Sequence, residues 1–95
     1  MKRPCVYVLA SGRNGTLYVG ATSGLANRLS LHREDVIGGF TQKFGVLRLV
    51  WVEEFEDMQT AIRREKQTKK WNRTWKLQLI ERHNPQWRDL WEEIV

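Results

Sequence analysis

The first residue to ask for chemistry is a carboxylate. Met58, Ala61 and Ile62 precede Glu65 by seven, four and three positions. That spacing predicts one helix face for all four, with Arg63, Arg64 and Lys66 pointing elsewhere. A carboxylate turned toward a core is costly unless it is paired, hydrogen-bonded or bound to a metal. On spacing alone, two readings stand level: an edge residue pairing with a basic neighbour, or a functional carboxylate. Arg28 and His32 form a second candidate, at i,i+4 on one helix face. An arginine offers a permanent cation to phosphate oxygens, and a histidine a proton carrier near neutral pH, so the pair suits a phosphodiester. Taken alone, such a pair reads first as an exposed helix feature. Tyr7 and Tyr18 form a third. If the strands that carry them pair with residue numbers summing to about 25, they face each other across a hairpin, where packing is the default reading. Both hydroxyls would still need partners once covered.

Positioning these groups takes a small set of elements. Val6–Leu9 is β-branched and apolar and predicts a strand. Ser11-Gly12-Arg13-Asn14-Gly15 is turn chemistry, with Asn-Gly able to take positive φ, and Thr16–Gly20 follows as a second strand. Leu25 to about Arg33 predicts a short helix, with Leu25, Leu29 and His32 along one side. Gly38-Gly39 breaks the chain, and Val46–Val52 predicts an apolar strand ending near Phe55. Asp57 caps a predicted helix from Met58 to about Asn72. Thr74–Arg82 predicts the next helix, Asn84-Pro85 interrupts it, and Gln86–Glu93 reads as a final helical piece. The order β-β-α-β-α-α is an α+β layout: a small three-stranded β-sheet flanked by helices. The direction of the third strand is open.

Composition bounds the function. The chain has 95 residues, 41% of them hydrophobic and 28% charged, room for one domain over 1–95. No apolar run approaches the roughly 18–20 residues of a membrane span, and one cysteine, Cys5, excludes an internal disulfide. A soluble cytoplasmic domain is the expectation. Sixteen basic residues stand against 11 acidic ones, for a net charge of +5. The charge is concentrated: residues 58–76 hold Arg63, Arg64, Lys66, Lys69, Lys70, Arg73 and Lys76 against Glu65 alone. Trp71 and Trp75 sit inside that run. Basic side chains interleaved with aromatics suit phosphate backbones and exposed bases. For a charge run alone, a solvated helix face is the better reading. Trp87 and Trp91, at i,i+4, would allow an interaction adaptor, but core packing is the stronger reading there.

The ordered residues resemble a known family. Cys5-Val6-Tyr7, with Tyr18-Val19-Gly20 eleven residues beyond the first tyrosine, is similar to the paired signature of the GIY-YIG nuclease superfamily. Arg28, His32, the Ala61–Glu65 helix and Asn84 follow in the family's order. Trp71, Lys76, Leu79-Ile80 and Asn84-Pro85-Gln86-Trp87 resemble its small single-domain bacterial, YhbQ-like branch. Each tripeptide is a weak signal and the ordered set a strong one. Cys5 and Val6 replace the Gly and Ile of the family name, and Ala21 stands where some catalytic members carry lysine.

The resemblance implies an endonuclease that hydrolyses phosphodiesters with one divalent metal, Mg²⁺ or Mn²⁺. Glu65 would bind the metal, since one carboxylate with waters and phosphate oxygens suits a hard cation. Tyr7 would orient or deprotonate the attacking water, although a pKa near 10 makes a poor base at pH 7. Arg28 would hold the scissile phosphate, and Tyr18 and His32 would complete the hydrogen-bond network. Gly20 would permit close approach, and Asn84 would have a positioning role only. Arg28, Arg63, Lys66, Lys69, Lys70 and Arg73 form the expected nucleic-acid contact, with DNA ahead of RNA. DNA repair or recombination is the setting implied, with a protein partner for targeting. The alternative is a nucleic-acid-binding module of the same fold that cuts weakly or not at all, motivated by Ala21 and by the lack of an appended DNA-binding module.

Overall fold

The strand Cys5–Ala10 (β1) is buried along its whole length, which places it in the middle of the sheet. This computed structural model describes residues 3–33 and 48–94, without the side chains of His32 and Arg33. Gly38-Gly39 and the expected strand start at Val46-Leu47 lie outside the described residues. Leu17–Thr22 (β2) and Arg48–Glu54 (β3) flank β1 in the order β2-β1-β3, both antiparallel to it. The open question of the third strand is thereby resolved. Helices follow at Leu25–Arg33 (α1), Met58–Lys70 (α2), Arg73–His83 (α3) and Trp91–Ile94 (α4). The fold is α+β. No helix among the described residues is long and apolar enough to cross a membrane.

The hairpin register differs from the expected one. Tyr7 lies opposite Gly20, and Tyr18 opposite Leu9, so paired numbers sum to 27 rather than about 25. A shift of two preserves side-chain parity, so both tyrosines keep one face of the sheet as diagonal neighbours. The turn takes the expected conformation, with Asn14 at φ 57°. Arg73 latches it from α3, its Nη2 donating to the carbonyls of Asn14 and Gly15 at 2.6 and 2.7 Å.

Alternation along β1 divides the core between two layers. Val6, Val8 and Ala10 face Ala61 of α2 and Leu79 and Ile80 of α3. Cys5, Tyr7 and Leu9 face Leu25 and Leu29 of α1 and Ile94 of α4. A bulge adjusts β3 to this plan. Val8 pairs with Trp51 and Leu9 with Leu49, which leaves Val50 as an extra residue. Val50 and Trp51 consequently both join the α2–α3 layer.

Local chemistry sets the helix ends. Asp57 caps α2 as expected, its Oδ1 accepting from the Thr60 amide at 2.7 Å. The helix stops at Lys70 rather than Asn72, because Asn72 caps α3 by accepting from the Trp75 amide at 2.9 Å. The expected helix from Gln86 to Glu93 shrinks to Trp91–Ile94. The segment before it lies along the outer edge of β3. Leu90 N donates to Leu49 O at 2.8 Å, Leu49 N to Asp89 Oδ1 at 3.2 Å and Arg48 Nη1 to Trp87 O at 3.2 Å. Trp87 takes φ 57° and is fully buried. A left-handed bulky residue costs about 1–2 kcal/mol, which burial of an indole offsets.

Candidate active site

Tyr7 starts on the central strand, is fully buried, and lays its ring across Gly20 of β2. A Cβ at position 20 would sit 2.6 Å from both Cζ and Oη of Tyr7. The close approach expected at Gly20 is therefore occupied by the phenol itself. Tyr18 borders it, with ring centroids 6.3 Å apart and planes tilted by 37°. α1 then brings Arg28 to the Tyr7 hydroxyl, where the guanidinium donates a hydrogen bond. Arg28 Nε is buried and has no partner among the described residues. A buried donor left open is costly, and an anionic oxygen would satisfy it.

This environment constrains the chemistry of the phenol. Burial pushes Tyr7 up to about 12, against the opposing pull of the Arg28 hydrogen bond and charge. At pH 7 only about one molecule in 10⁵ would carry the tyrosinate. Tyr7 is thus a neutral phenol that donates and accepts hydrogen bonds, and a poor resting base. Cys5, two residues earlier, is buried, and burial pushes its thiol to about 11. That removes it as a nucleophile.

Glu65 stands on α2, in the layer across the sheet from Tyr7. Its side chain is 19% exposed, and Lys69 Nζ lies 3.7 Å away. The expected stripe needs one correction. Ala61 and Thr68 are the buried positions of α2, while Ile62 is 39% exposed. Ile62 sits about 100° around the helix from Ala61, which turns it outward, whereas Glu65 sits only about 40° away, at the margin of the buried stripe. Among the described residues no three or more His, Cys, Asp or Glu side chains cluster. A single marginal carboxylate fits a hard, hydrated cation that takes its other ligands from water and substrate, and does not fit a cage built by protein alone.

The other expected residues are dispersed. His32 lies in α1 by its backbone, and its side chain is outside the described residues. Asn84 is buried behind β3, where its Nδ2 donates to Val50 O at 3.1 Å and Arg88 O at 2.9 Å. Its Oδ1 accepts from Arg88 N at 3.0 Å. Asn84 therefore serves the bulge carbonyl and the C-terminal segment. Arg63, Lys66 and Lys70 are exposed on α2. Lys69 is drawn to Glu65, and Arg73 is engaged by the hairpin turn. Gln78 and Arg82 of α3 escaped the sequence reading, yet they line a groove with Trp75. Their i+3 and i+7 spacing from Trp75 was the available signal.

A family model described as the GIY-YIG catalytic domain matches residues 3–78. The chain belongs to the GIY-YIG family. A UPF0213 protein of Clostridium perfringens is 37% identical over 75 residues, covering 79% of this chain and 80% of that protein. A UPF0213 protein of Syntrophus aciditrophicus is 34% identical over 87 residues, covering 90% and 98%. The solution NMR structure of a UPF0213 protein from Bacillus halodurans superposes with a TM-score of 0.57 at 26% identity, covering 92% of each chain. This GIY-YIG chain is thus a small member with relatives of its own size, and the family is one of nucleases that bind nucleic acid. Among its departures, Ala21 packs against the α2–α3 layer, so a lysine there would extend from the sheet face that carries α2.

Proposed function

We propose that this GIY-YIG protein is a metal-dependent endonuclease that hydrolyses phosphodiesters, with DNA as the preferred substrate. The observation that carries the reading is the buried Arg28 Nε, without a partner among the described residues, on the guanidinium that bonds the Tyr7 hydroxyl. Arg28 binds the scissile phosphate and neutralises charge as it develops there. Tyr7, neutral at pH 7, orients the attacking water by hydrogen bonding. Tyr18 fixes the Tyr7 ring, and His32 carries the proton away from the water. Glu65 would hold Mg²⁺ or Mn²⁺, which when bound would polarise the phosphate and stabilise the leaving oxygen. The metal would compete with Lys69 for the carboxylate. Arg63, Lys66 and Lys70 contact the flanking backbone, with Lys69 once it is released and Arg73 at the margin. Asn84 acts at a distance by holding the C-terminal segment on β3.

The test is cleavage of branched, nicked and single-stranded DNA with Mg²⁺ or Mn²⁺, beside Glu65→Ala and Arg28→Ala. Cleavage by the wild type that both variants lose is expected. No cleavage, or equal cleavage by the Glu65 variant, refutes the reading. A second reading is favoured by Ala21, which leaves the α2 face of β2 without a cation: a binding module that cuts weakly. It predicts salt-sensitive binding that Lys66 or Lys70 substitutions weaken and Glu65→Ala does not.

A further inference from the structure

The chain buries Trp87 and Trp51 almost completely but leaves Trp75 54% exposed. Trp75 lines a groove of about 240 Å³ at the α2–α3 seam, with Arg64, Trp71, Gln78, Leu79 and Arg82. Small-molecule sites run to roughly 300–1,000 Å³, so this groove suits one planar ring system rather than a whole cofactor. Two of its groups are already engaged. The Arg64 guanidinium lies 5.0 Å over the Trp71 ring and 3.4 Å from Glu53. Trp71 meets Trp75 edge-on at 6.0 Å and 82°. The open groups are different ones. Trp75 leaves more than half of its surface open, and Arg82 has no side-chain ion pair or hydrogen bond among the described residues. Gln78 supplies an amide with both donors and an acceptor.

We propose that this groove holds one unpaired base of a single-stranded nucleic acid, stacked on Trp75, with its edge toward Gln78 and an adjacent phosphate on Arg82. The class of ligand rests on the nuclease reading above; the groove itself does not. Aromatic stacking with a nearby arginine is how single strands are held without regard to sequence. The electrostatics agree, because the ligand's phosphates meet the uncompensated Arg82 and then the outward basic face of α2. Arg63, Lys66 and Lys70 occupy that face, and Glu65 lies on the flank beyond it. A strand anchored at Trp75 and crossing α2 therefore reaches Glu65 within a few nucleotides. The groove would act as a positioning subsite for a single-stranded flank.

The test is equilibrium binding of labelled oligothymidylate and oligouridylate in metal-free buffer, beside the same strands bearing a tract of abasic sites. Wild-type protein should bind the abasic strand about five- to a hundredfold more weakly. Trp75→Ala should lose the same factor on the intact strand and nothing further on the abasic one, while Trp75→Phe keeps most of the affinity. Arg82→Gln should weaken both strands equally and flatten the salt dependence. Equal wild-type affinity for intact and abasic strands overturns the proposal without any variant. Losses of Trp75→Ala that match on both strands, or a change in sedimentation with no change in binding, overturn it too, and the last assigns the surface to a protein contact. Cleavage that needs Glu65 but ignores Trp75 would sink the groove and leave the nuclease reading standing. Base-dependent binding without cleavage would do the reverse. The thymidylate and uridylate arms separate DNA from RNA.

Discussion

Gly20→Ala is the sharpest perturbation this arrangement offers. A Cβ at position 20 would lie 2.6 Å from Cζ and Oη of Tyr7 and 3.0 Å from Cε1. Ordinary contact begins near 3.4 Å, so the ring must recede by about 0.8 Å. Tyr7 is fully buried in one cluster with Leu25 and Leu29, so the ring can recede only by displacing packed side chains. Overpacking of this kind costs roughly 1–3 kcal/mol of stability. Losing the Arg28 hydrogen bond to Tyr7 adds about 1 kcal/mol. Displacement of a positioned group by about 1 Å can lower a rate about 100-fold. The prediction is therefore a protein that still folds, with an unfolding free energy from urea denaturation lowered by about 2–4 kcal/mol and cleavage reduced about 100-fold. Gly20→Ala combined with Tyr7→Phe removes the Oη contact but leaves the Cζ contact. It should recover part of the stability and none of the activity. A Gly20→Ala protein with wild-type stability and wild-type cleavage would refute the claim that the Tyr7 ring lies across this glycine.

Tyr7, raised from 10.0 to about 12, stabilises the fold below pH 10, and that contribution is lost as pH rises through 10 to 12. A shift of this size is worth about 3 kcal/mol, and Tyr7→Phe should flatten that alkaline limb of the stability curve. Cys5, raised from 9.0 to about 11, adds a limb over pH 9–11 that Cys5→Ala should remove. Asn84→Ala should cost about 2–4 kcal/mol by urea denaturation, because the buried Val50 carbonyl loses its partner and the 84–90 segment loses two further bonds. Arg73→Ala should leave global stability within about 1 kcal/mol, since the residue is exposed, but should raise amide exchange in the hairpin turn around Asn14 and Gly15.

Much of the fold was legible because local chemistry and packing agree. The Asp57 cap, the Asn14-Gly15 turn and the Leu25–Arg33 helix each follow from residues within a few positions. The misreadings differ in cause. The hairpin register depends on where the turn closes, between Ser11 and Thr16. Ile62 turns outward because it sits about 100° around the helix from Ala61. The short final helix, by contrast, is decided by contacts with the distant strand β3. A periodic pattern in 86–93 cannot reveal that Asn84 and Asp89 hold that stretch against β3. Closeness in the chain made part of the candidate site's layout legible. Tyr7, Tyr18, Gly20 and Arg28 lie within one hairpin and the helix after it, and the structure assembles them. The charge of Arg73 is visible in the sequence, but its structural partners are not, since the two carbonyls it serves lie nearly sixty positions away.

The two layers of the core set where the Glu65 carboxylate lies relative to Tyr7. Both edges of the sheet are not alike. The outer edge of β3 is closed by the segment ending at Leu90. No strand among the described residues pairs with the outer edge of β2. Tyr7 runs from β1 over Gly20, so its hydroxyl is directed toward that open edge. On the other face, α2 packs on β2 and β1 while α3 packs on β3. Arg64 and Trp71, about 60° and 80° to one side of Ala61, meet α3. Glu65, about 40° to the other side, is therefore on the flank turned toward the edge of β2. The helix that carries the basic run thus offers its one carboxylate toward the same open edge of β2. A phosphodiester lying along β2 would be reached from one face by Arg28, hydrogen-bonded to the buried Tyr7, and from the other by Glu65. If that is how the site works, Glu65→Gln should abolish cleavage while lysine-dependent binding survives.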